Sequence, residues 1–181
     1  MPDMLPLDGV RVLDLSRYTA GPFCTRILAD YGADIIKVED PNGGDPARYI
    51  GPFFHDEPGV EKSGLFLHLN ANKKSVTLDL EDPSGREQFR QLVERSHVLI
   101  ESHPPGKLES LGLGYDALRQ IRPDLVMSSI TPFGQTGPHR QHAFTELTIF
   151  AAGGAMHREG MPDREPLKYG GEIAQYFAAT V

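Results

Sequence analysis

The sequence predicts an α/β domain with a doubly wound, mostly parallel sheet and helices on both faces, a Rossmann-like arrangement. Three observations lead to this fold class. Apolar runs typical of strands covered on both faces alternate with segments of helical periodicity. The first such run is followed by a polar turn and a glycine–proline pair that favours the start of a helix. A chain of 181 residues is also long enough for one domain with a substantial core.

The first predicted unit occupies residues 10–39. Residues 10–16, VRVLDLS, form a strand, and residues 18–22 form the turn that follows it. The next segment has apolar residues at helical spacing and ends at Gly32, a residue suited to the position after a helix. Residues 34–39, DIIKVE, form the second strand. The unit is therefore a βαβ with the usual right-handed crossover.

The second predicted unit follows a long loop at residues 40–62, which is dense in Gly, Pro and Asp. Loops of this length are often functional. Residues 65–69 are a short apolar run, and residues 75–80 alternate as a strand does. A helix begins at residues 82–85, and residues 97–101 form the next strand. Together these segments predict a second βαβ.

The remaining segments continue the alternation of helices and strands. A turn-rich connection at residues 102–114 leads to a short helix at residues 115–121 and a strand at residues 125–130. A loop punctuated by Gly and Pro at residues 131–138 precedes an apolar helix at residues 146–155.

The last residues, GGEIAQYFAATV, are typical of the first turns of an apolar helix. No C-cap glycine or helix breaker follows that start. We therefore expect residues 1–181 to be the N-terminal large domain of a longer protein, with the fold incomplete at its C-terminus.

The net charge and the single cysteine limit the partners and the compartment that we expect for this protein. With 18 Lys and Arg against 25 Asp and Glu, the net charge of -7 argues against binding to nucleic acid or to an anionic membrane surface. The single cysteine, Cys24, excludes an internal disulfide and indicates a reducing compartment. No secretory signal or membrane-spanning apolar stretch is present in the sequence, so we expect a cytoplasmic protein.

Few residues carry an independent chemical signal. The seven histidines show no metal-ligand spacing, so no metal site is expected. Asp14, within a strand that should be buried, must find hydrogen-bond donors, and a structural role is favoured over catalysis. Cys24 is better explained as a structural thiol than as a nucleophile. The polar turn at residues 72–74, Asn-Lys-Lys, is either an anion-binding turn or a solvated one.

No phosphate-binding GxxxxGK[ST] motif occurs, and a nicotinamide-dependent enzyme is disfavoured because the glycine fingerprint is missing.

Six stretches of the sequence, in order, resemble the N-terminal part of the family III CoA-transferases. This group includes formyl-CoA and carnitine CoA-transferases and the related α-methylacyl-CoA racemases. The matching stretches are LDGVRVLDLSRYTAGPF, LADYGADIIKVEDPNGGDPAR, NANKKSVTLDL, HVLIESHPPGKLESLGLGYDAL, RPDLVMSSITPFGQTGP and PLKYGGEIAQYFAAT. They span nearly the whole chain.

The resemblance implies an enzyme of acyl-CoA metabolism that acts on an acyl-CoA and a carboxylic acid. Coenzyme A is then part of the substrate, and no cofactor is bound covalently. In the family an aspartate attacks the thioester and carries the acyl group and then CoA. That position is occupied here by Gln175, a far poorer nucleophile. The histidine used by the racemases is matched by Thr145, which makes racemase activity by that route improbable.

The resemblance also implies which residues contact CoA. The turn after the first strand supplies Arg17, Tyr18, Thr19 and Ala20, and Leu78 lies by the strand on the adenine side. Further expected contacts are Lys73, Lys74, Ser102 and His103.

Several basic or amide residues of the family are absent from this sequence. The residues that replace them are Asp40, Glu81, Ser102, Pro104 and Ser110. Each lost cation removes a contact worth roughly 1.5 to 3 kcal/mol. We expect weakened CoA binding unless Arg17, Lys73, Lys74 or Lys107 compensates.

Two hypotheses follow from the resemblance. In the first, the protein is a CoA-transferase in which this half is catalytically degenerate, either as an interlocked homodimer or as the first half of a longer chain. In the second, the chain is a non-enzymatic structural or CoA-sensing half of a larger assembly.

Overall fold

A computed structural model describes residues 4–181 and contains one five-stranded sheet in which every neighbouring pair of strands is parallel. The strand order is β3-β2-β1-β4-β5. The strands are β1 Arg11–Leu15, β2 Asp34–Glu39, β3 Lys74–Thr77, β4 Val98–Glu101 and β5 Val126–Ser129.

Seven α-helices lie among these strands within residues 4–181. They are α1 Ala20–Asp30, α2 Gly64–Leu69, α3 Pro83–Glu94, α4 Lys107–Ser110, α5 Tyr115–Ile121, α6 Glu146–Ala152 and α7 Ile173–Ala178. Short 3-10 turns occur at Pro46–Tyr49, Phe54–Asp56 and Ala155–Arg158.

The predicted doubly wound α/β fold is confirmed, because the sheet has a separate apolar core on each face. Successive side chains of a strand point to opposite faces. Leu13 and Leu99 therefore pack with Phe89 of α3 on one side. Val12 and Ile35 pack against the apolar side of α1 on the other. Helices thus cover both faces of a sheet whose central strands are buried on both sides.

Two differences from the sequence-based prediction have local causes. The apolar run at residues 65–69 is part of helix α2, which is capped by the Ser63 hydroxyl accepting from the Phe66 N–H. The third strand ends at Thr77 rather than residue 80, because Asp79 forms a side-chain turn with the Glu81 N–H.

The ends of the other predicted elements also shift. The turn-rich segment 102–114 contains the short helix α4. Helix α6 stops at Ala152, three residues earlier than predicted, because Gly153 and Gly154 follow it and Gly154 has a positive φ of 77°.

The strand order places a crevice at the carboxyl ends of β1 and β4. The chain winds away from β1 toward β2 and β3 in one direction and toward β4 and β5 in the other. The loops that follow β1 and β4 therefore separate, and this switch point is where open parallel sheets bind ligands.

No helix within residues 4–181 is both long and apolar enough to cross a membrane.

Replacement of Gly21 by Ala tests the close contact between α1 and the end of β1. A Cβ at this position would lie 2.1 Å from the Ser16 Cβ. We expect Gly21→Ala to lower the free energy of unfolding of the full-length protein by about 1–3 kcal/mol, as overpacking does. Urea denaturation measures the change. Gly170→Ala is the control, since its Cβ would meet no atom within 4 Å, and equal stability of the two variants would contradict the proposed contact.

Candidate functional site

The turn between β1 and α1 has an unusual backbone that other loops hold in place. Tyr18 has a φ of 63°, a left-handed conformation that costs energy for a residue other than glycine. Its N–H donates to Asp45 Oδ1 at 3.1 Å. The Arg17 N–H donates to Ser102 Oγ at 2.8 Å, which joins this turn to the loop after β4. The two loops at the switch point therefore support one another.

A buried carboxylate lies directly beneath this turn. Asp14 is fully buried and accepts hydrogen bonds from the Ser16 hydroxyl at 2.5 Å, the Thr25 hydroxyl at 2.7 Å and Lys73 Nζ at 2.9 Å. The expectation that a carboxylate in this strand must find donors is thus confirmed, and its contacts are structural ones.

A second buried ion pair lies beside the first. Lys37 Nζ is 2.8 Å from Asp45 Oδ2, and it also donates to the Ser16 carbonyl oxygen at 2.9 Å. Both side chains are almost completely buried. Because Asp45 also accepts from the Tyr18 N–H, this pair connects β2 to the strained turn.

The pKa values of these groups reflect competition between burial and pairing. Burial raises the pKa of Asp14, but Lys37, Lys73 and the neighbouring hydroxyls outweigh it and bring that pKa down to about 2. Burial lowers the pKa of Lys73 to about 8 even though Asp14 opposes the shift. Burial acts the same way on Lys37, but Asp14 and Asp45 reverse the effect and raise its pKa. Asp14 is therefore ionised at neutral pH.

The two lysines of the polar turn before β3 have different surroundings. Lys73 is almost completely buried, and its ammonium group donates to Asp14, to the Pro22 carbonyl oxygen and to Asn70 Oδ1. All three of its donors are used within the chain, so its expected contact with CoA has no free donor. Because a buried partner exists, the turn is not an open anion-binding turn at Lys73.

Lys74 has an exposed side chain (73%) and pairs with Asp34 at 2.6 Å. Both residues begin parallel strands, so they lie at the edge of the sheet opposite the switch point. This placement separates the expected CoA contact at Lys74 from the expected contacts in the turn after β1.

A cavity of about 680 Å³ occupies the switch point. Of the sequence-predicted residues it is lined by Arg17, Tyr18, Ala20, Ser102 and Gln175. The turn after β1 and Gln175, which the resemblance matches to the family's nucleophile, therefore share one space, although Gln175 is 155 positions after Ala20.

The other sequence-predicted residues lie outside the cavity lining. Thr19 is fully buried beneath the turn, and Leu78 belongs to the core on the α3 face. His103 is partly buried, and its backbone N–H donates to Glu101 Oε2 at 2.6 Å. Burial first, and then Arg17 and Lys107, lower the pKa of His103 to about 4. Its imidazole is therefore neutral at physiological pH.

Helix α7, which carries Gln175, is held against the cavity by three contacts. The ring of Tyr176 packs edge-on against Phe23 of α1, with ring centroids 4.8 Å apart. The Ala174 N–H donates to Glu146 Oε1 at 2.7 Å, and the Thr19 hydroxyl donates to Glu172 Oε2. These contacts fix Gln175 relative to the turn after β1.

Sequence patterns did not single out three charged residues that line the cavity, Arg140, Glu146 and Glu172. Arg140 lies in the loop before α6, and Glu146 is the first residue of that helix. The local sequence does not predict where either side chain points. Glu172 is three residues before Gln175 in the sequence, but the orientation of its side chain depends on Thr19, which is 153 positions away. Residues 4–181 contain no group of three His, Cys, Asp or Glu residues that could hold a metal ion.

The parallel sheet and its switch-point cavity define a doubly wound α/β protein, a class in which ligands generally bind at the carboxyl ends of the strands. Residues 7–181 match the model of CoA-transferase family III over nearly the whole chain. The chain belongs to CoA-transferase family III, and the resemblance seen in its sequence is confirmed.

Curated relatives resemble this chain over most of its length. Human succinyl-CoA:glutarate CoA-transferase is 42% identical over 170 residues, which are 94% of this chain and 38% of the relative. Succinyl-CoA--D-citramalate CoA-transferase of Chloroflexus aurantiacus is 43% identical over 175 residues, which are 97% of this chain and 42% of the relative. The chain therefore spans about two fifths of the length of these relatives.

Solved structures have the same fold. A CAIB/BAIF family protein from Brucella suis superimposes with a TM-score of 0.85 at 38% identity, over 98% of this chain and 49% of that protein. Rv3272 from Mycobacterium tuberculosis gives a TM-score of 0.84 at 34% identity, over 97% of this chain and 48% of that one. The doubly wound domain is thus shared with these proteins.

Replacement of Asp14 by Asn tests the buried charge network. The change leaves Lys37 and Lys73 buried with less negative charge, and breaking a buried pair in this way costs about 3–5 kcal/mol. We expect the free energy of unfolding of the full-length protein, measured in urea, to fall by that amount. Asp34→Asn removes a carboxylate from partly exposed ion pairs, so we expect it to cost about 1 kcal/mol or less. A smaller loss for Asp14→Asn than for Asp34→Asn would contradict this account.

Proposed function

We propose that the full-length protein transfers CoA between an acyl-CoA and a carboxylic acid, and that residues 1–181 are its N-terminal large domain. In this proposal the CoA ester binds in the switch-point cavity. The observation that supports it best is that Arg17, Tyr18 and Ala20 share this cavity with Gln175, the position of the family's nucleophile. A CoA moiety held by the turn would direct its acyl end toward α7.

Arg17 is the residue of the turn best suited to bind a phosphate group of CoA. Its side chain is 43% exposed, and its guanidinium lies 3.9 Å from the Asp40 carboxylate, a long pairing between two exposed side chains. Such a pair contributes little energy, so a phosphate can displace Asp40 and accept two parallel hydrogen bonds. Ser102 fixes the backbone of Arg17 and lines the same wall. Thr19 and His103 support this wall from beneath, in our proposal, rather than contacting CoA.

The names of the relatives suggest which substrates to test first. The human relative acts, by its name, on succinyl-CoA and glutarate, and the relative from C. aurantiacus on succinyl-CoA and D-citramalate. We therefore propose small dicarboxylic acids and their CoA thioesters as the substrate class. Arg140, which also lines the cavity, can pair with the free carboxylate of such an acid.

Gln175 favours a second candidate function. A carboxylate can form an anhydride with an acyl group, whereas a neutral amide is a far poorer nucleophile. A half that retains the cavity but lacks the nucleophile would bind CoA without transferring it, as a structural or CoA-sensing half. Its partner would be a second copy of the chain or a second half of the same protein.

Calorimetric titration of coenzyme A into the full-length protein tests the binding site. We expect Arg17→Ala to raise the Kd by about tenfold or more, because a charge-assisted hydrogen bond contributes about 1.5–3 kcal/mol. Arg95→Ala is the matched control, since Arg95 follows α3 at the opposite edge of the sheet and should leave the Kd unchanged. Unchanged affinity in Arg17→Ala would remove Arg17 from the site. No heat at millimolar coenzyme A would favour a purely structural role.

Replacement of Gln175 by Asp tests whether the amide limits transfer. The change introduces the family's nucleophile, so we expect turnover with a panel of acyl-CoA donors to rise by about tenfold or more, equivalent to about 1.4 kcal/mol in the barrier. Gln175→Asn is the matched control, because it has the length of Asp but no carboxylate. Robust turnover in the unmodified protein that Gln175→Asp abolishes would show that the amide is required, and would refute its interpretation as a lost nucleophile.

A further inference from the structure

We propose that Glu172 is the carboxylate that accepts the acyl group in this protein, in place of the nucleophile missing at Gln175. The inference rests on the proposed transfer of CoA and identifies the group that carries it out. The cavity is lined by two carboxylates, Glu146 and Glu172, in addition to Gln175.

The surroundings of Glu146 make it unsuited to attack a substrate. Its Oε1 is occupied by the Ala174 N–H at 2.7 Å, which holds the first turn of α7 in place. Its Oε2 is enclosed and has no hydrogen-bond partner within residues 4–181. An enclosed oxygen cannot reach the carbonyl carbon of a bound thioester, so Glu146 is a positioning residue for α7.

Glu172 has one oxygen held and one oxygen free. Its Oε2 accepts from the hydroxyl of Thr19, in the turn that we propose binds CoA. Its Oε1 makes no hydrogen bond within residues 4–181, and no Lys, Arg or His there forms an ion pair with the carboxylate. A carboxylate that is oriented at one oxygen and unpaired at the other has the geometry of a nucleophile.

The position of Glu172 relative to Gln175 is fixed by the backbone. The Gln175 N–H donates to the Glu172 carbonyl oxygen at 3.1 Å, and the Tyr176 N–H donates to the same oxygen at 3.2 Å. Glu172 therefore immediately precedes α7, one turn before Gln175, and both side chains line the cavity. Glu172 is one methylene longer than an aspartate, and it enters the cavity from the residue that precedes the helix.

The reaction through Glu172 balances without another reactant. Glu172 Oε1 attacks the thioester carbonyl carbon and the C–S bond breaks. CoA leaves as a thiolate, and the acyl group remains on Glu172 as a mixed anhydride. The thiolate then attacks the Glu172 carbonyl carbon and releases the first carboxylate, which leaves a glutamyl–CoA thioester. A second carboxylate attacks that thioester, and the thiolate released attacks the new acyl group. The product is a new acyl-CoA, and Glu172 regains its carboxylate.

Chemical trapping of the thioester locates the nucleophile. The full-length protein is incubated with succinyl-CoA and treated with sodium borohydride, which reduces a glutamyl thioester to an alcohol, and its peptides are then analysed by mass spectrometry. We expect the reduced residue to be Glu172. Reduction at any other residue overturns the proposal but leaves the proposed transfer intact.

Glu172→Gln distinguishes the nucleophile from a structural residue, because the amide oxygen can still accept from Thr19. We expect turnover to fall at least about a hundredfold while the Kd for coenzyme A changes less than about twofold. Glu165→Gln, an exposed residue of the same segment, should change neither quantity. Retained turnover in Glu172→Gln overturns the proposal.

The double variant Glu172→Gln with Gln175→Asp tests whether a lost carboxylate, rather than a lost fold, explains the effect. We expect turnover to return and the reduced residue to move to position 175. Failure of this variant to recover, although it is folded and binds coenzyme A, contradicts the proposal. If the unmodified protein neither binds nor turns over any acyl-CoA, the proposed function itself fails, and this outcome is distinct from the loss of Glu172 alone.

Discussion

The ionised groups buried beneath the first turn are the constraint on which the site depends. Asp14 with Lys73 and Lys37 with Asp45 form two ion pairs that water hardly reaches. Removing such charges from water is costly, and only mutual pairing with further hydrogen bonds offsets that cost. The network joins β1, β2 and the turn before β3. Through Asp45 the network also reaches the Tyr18 N–H. The left-handed turn at the cavity is therefore held by charged groups, none of which can be removed without leaving its partner buried and unpaired.

In our proposal, this arrangement gives the cavity one rigid wall and one wall that carries the nucleophile. The rigid wall is the turn after β1, fixed by Asp45 and Ser102. The other wall is α7, which is held by Thr19, by Glu146 and by the packing of Tyr176. Covalent transfer requires a thioester carbon to lie within reach of a carboxylate. The distance between the two walls must therefore stay fixed. The buried ion pairs and the anchored side chains of α7 hold it.

The family framework is retained in this chain, whereas the proposed chemistry depends on the residue type at one position. Membership of CoA-transferase family III is shown by residues 7–181, and the fold matches solved structures closely. The resemblance nevertheless implies that Gln175 places a neutral amide at the position of the family's nucleophile. In our proposal, transfer of CoA then depends on another carboxylate in the cavity, and Glu172 is the one whose unbonded oxygen is not enclosed. Fold and chemistry are thus separable properties of this chain.

The sequence by itself determined the succession of the five strands and most helices along the chain, though not α2 and α4, because apolar periodicity and residues such as Gly32 act locally. It also showed that Asp14 needed donors, because a carboxylate in a buried strand cannot remain unpaired. Only the tertiary structure decided which donors bind the Asp14 carboxylate. Lys73 resembles a solvated turn residue in sequence, yet its ammonium group lies against Asp14, 59 positions away. The direction of Glu172 was set by Thr19 in the same way, since contacts between distant residues leave no periodic signal in a single sequence.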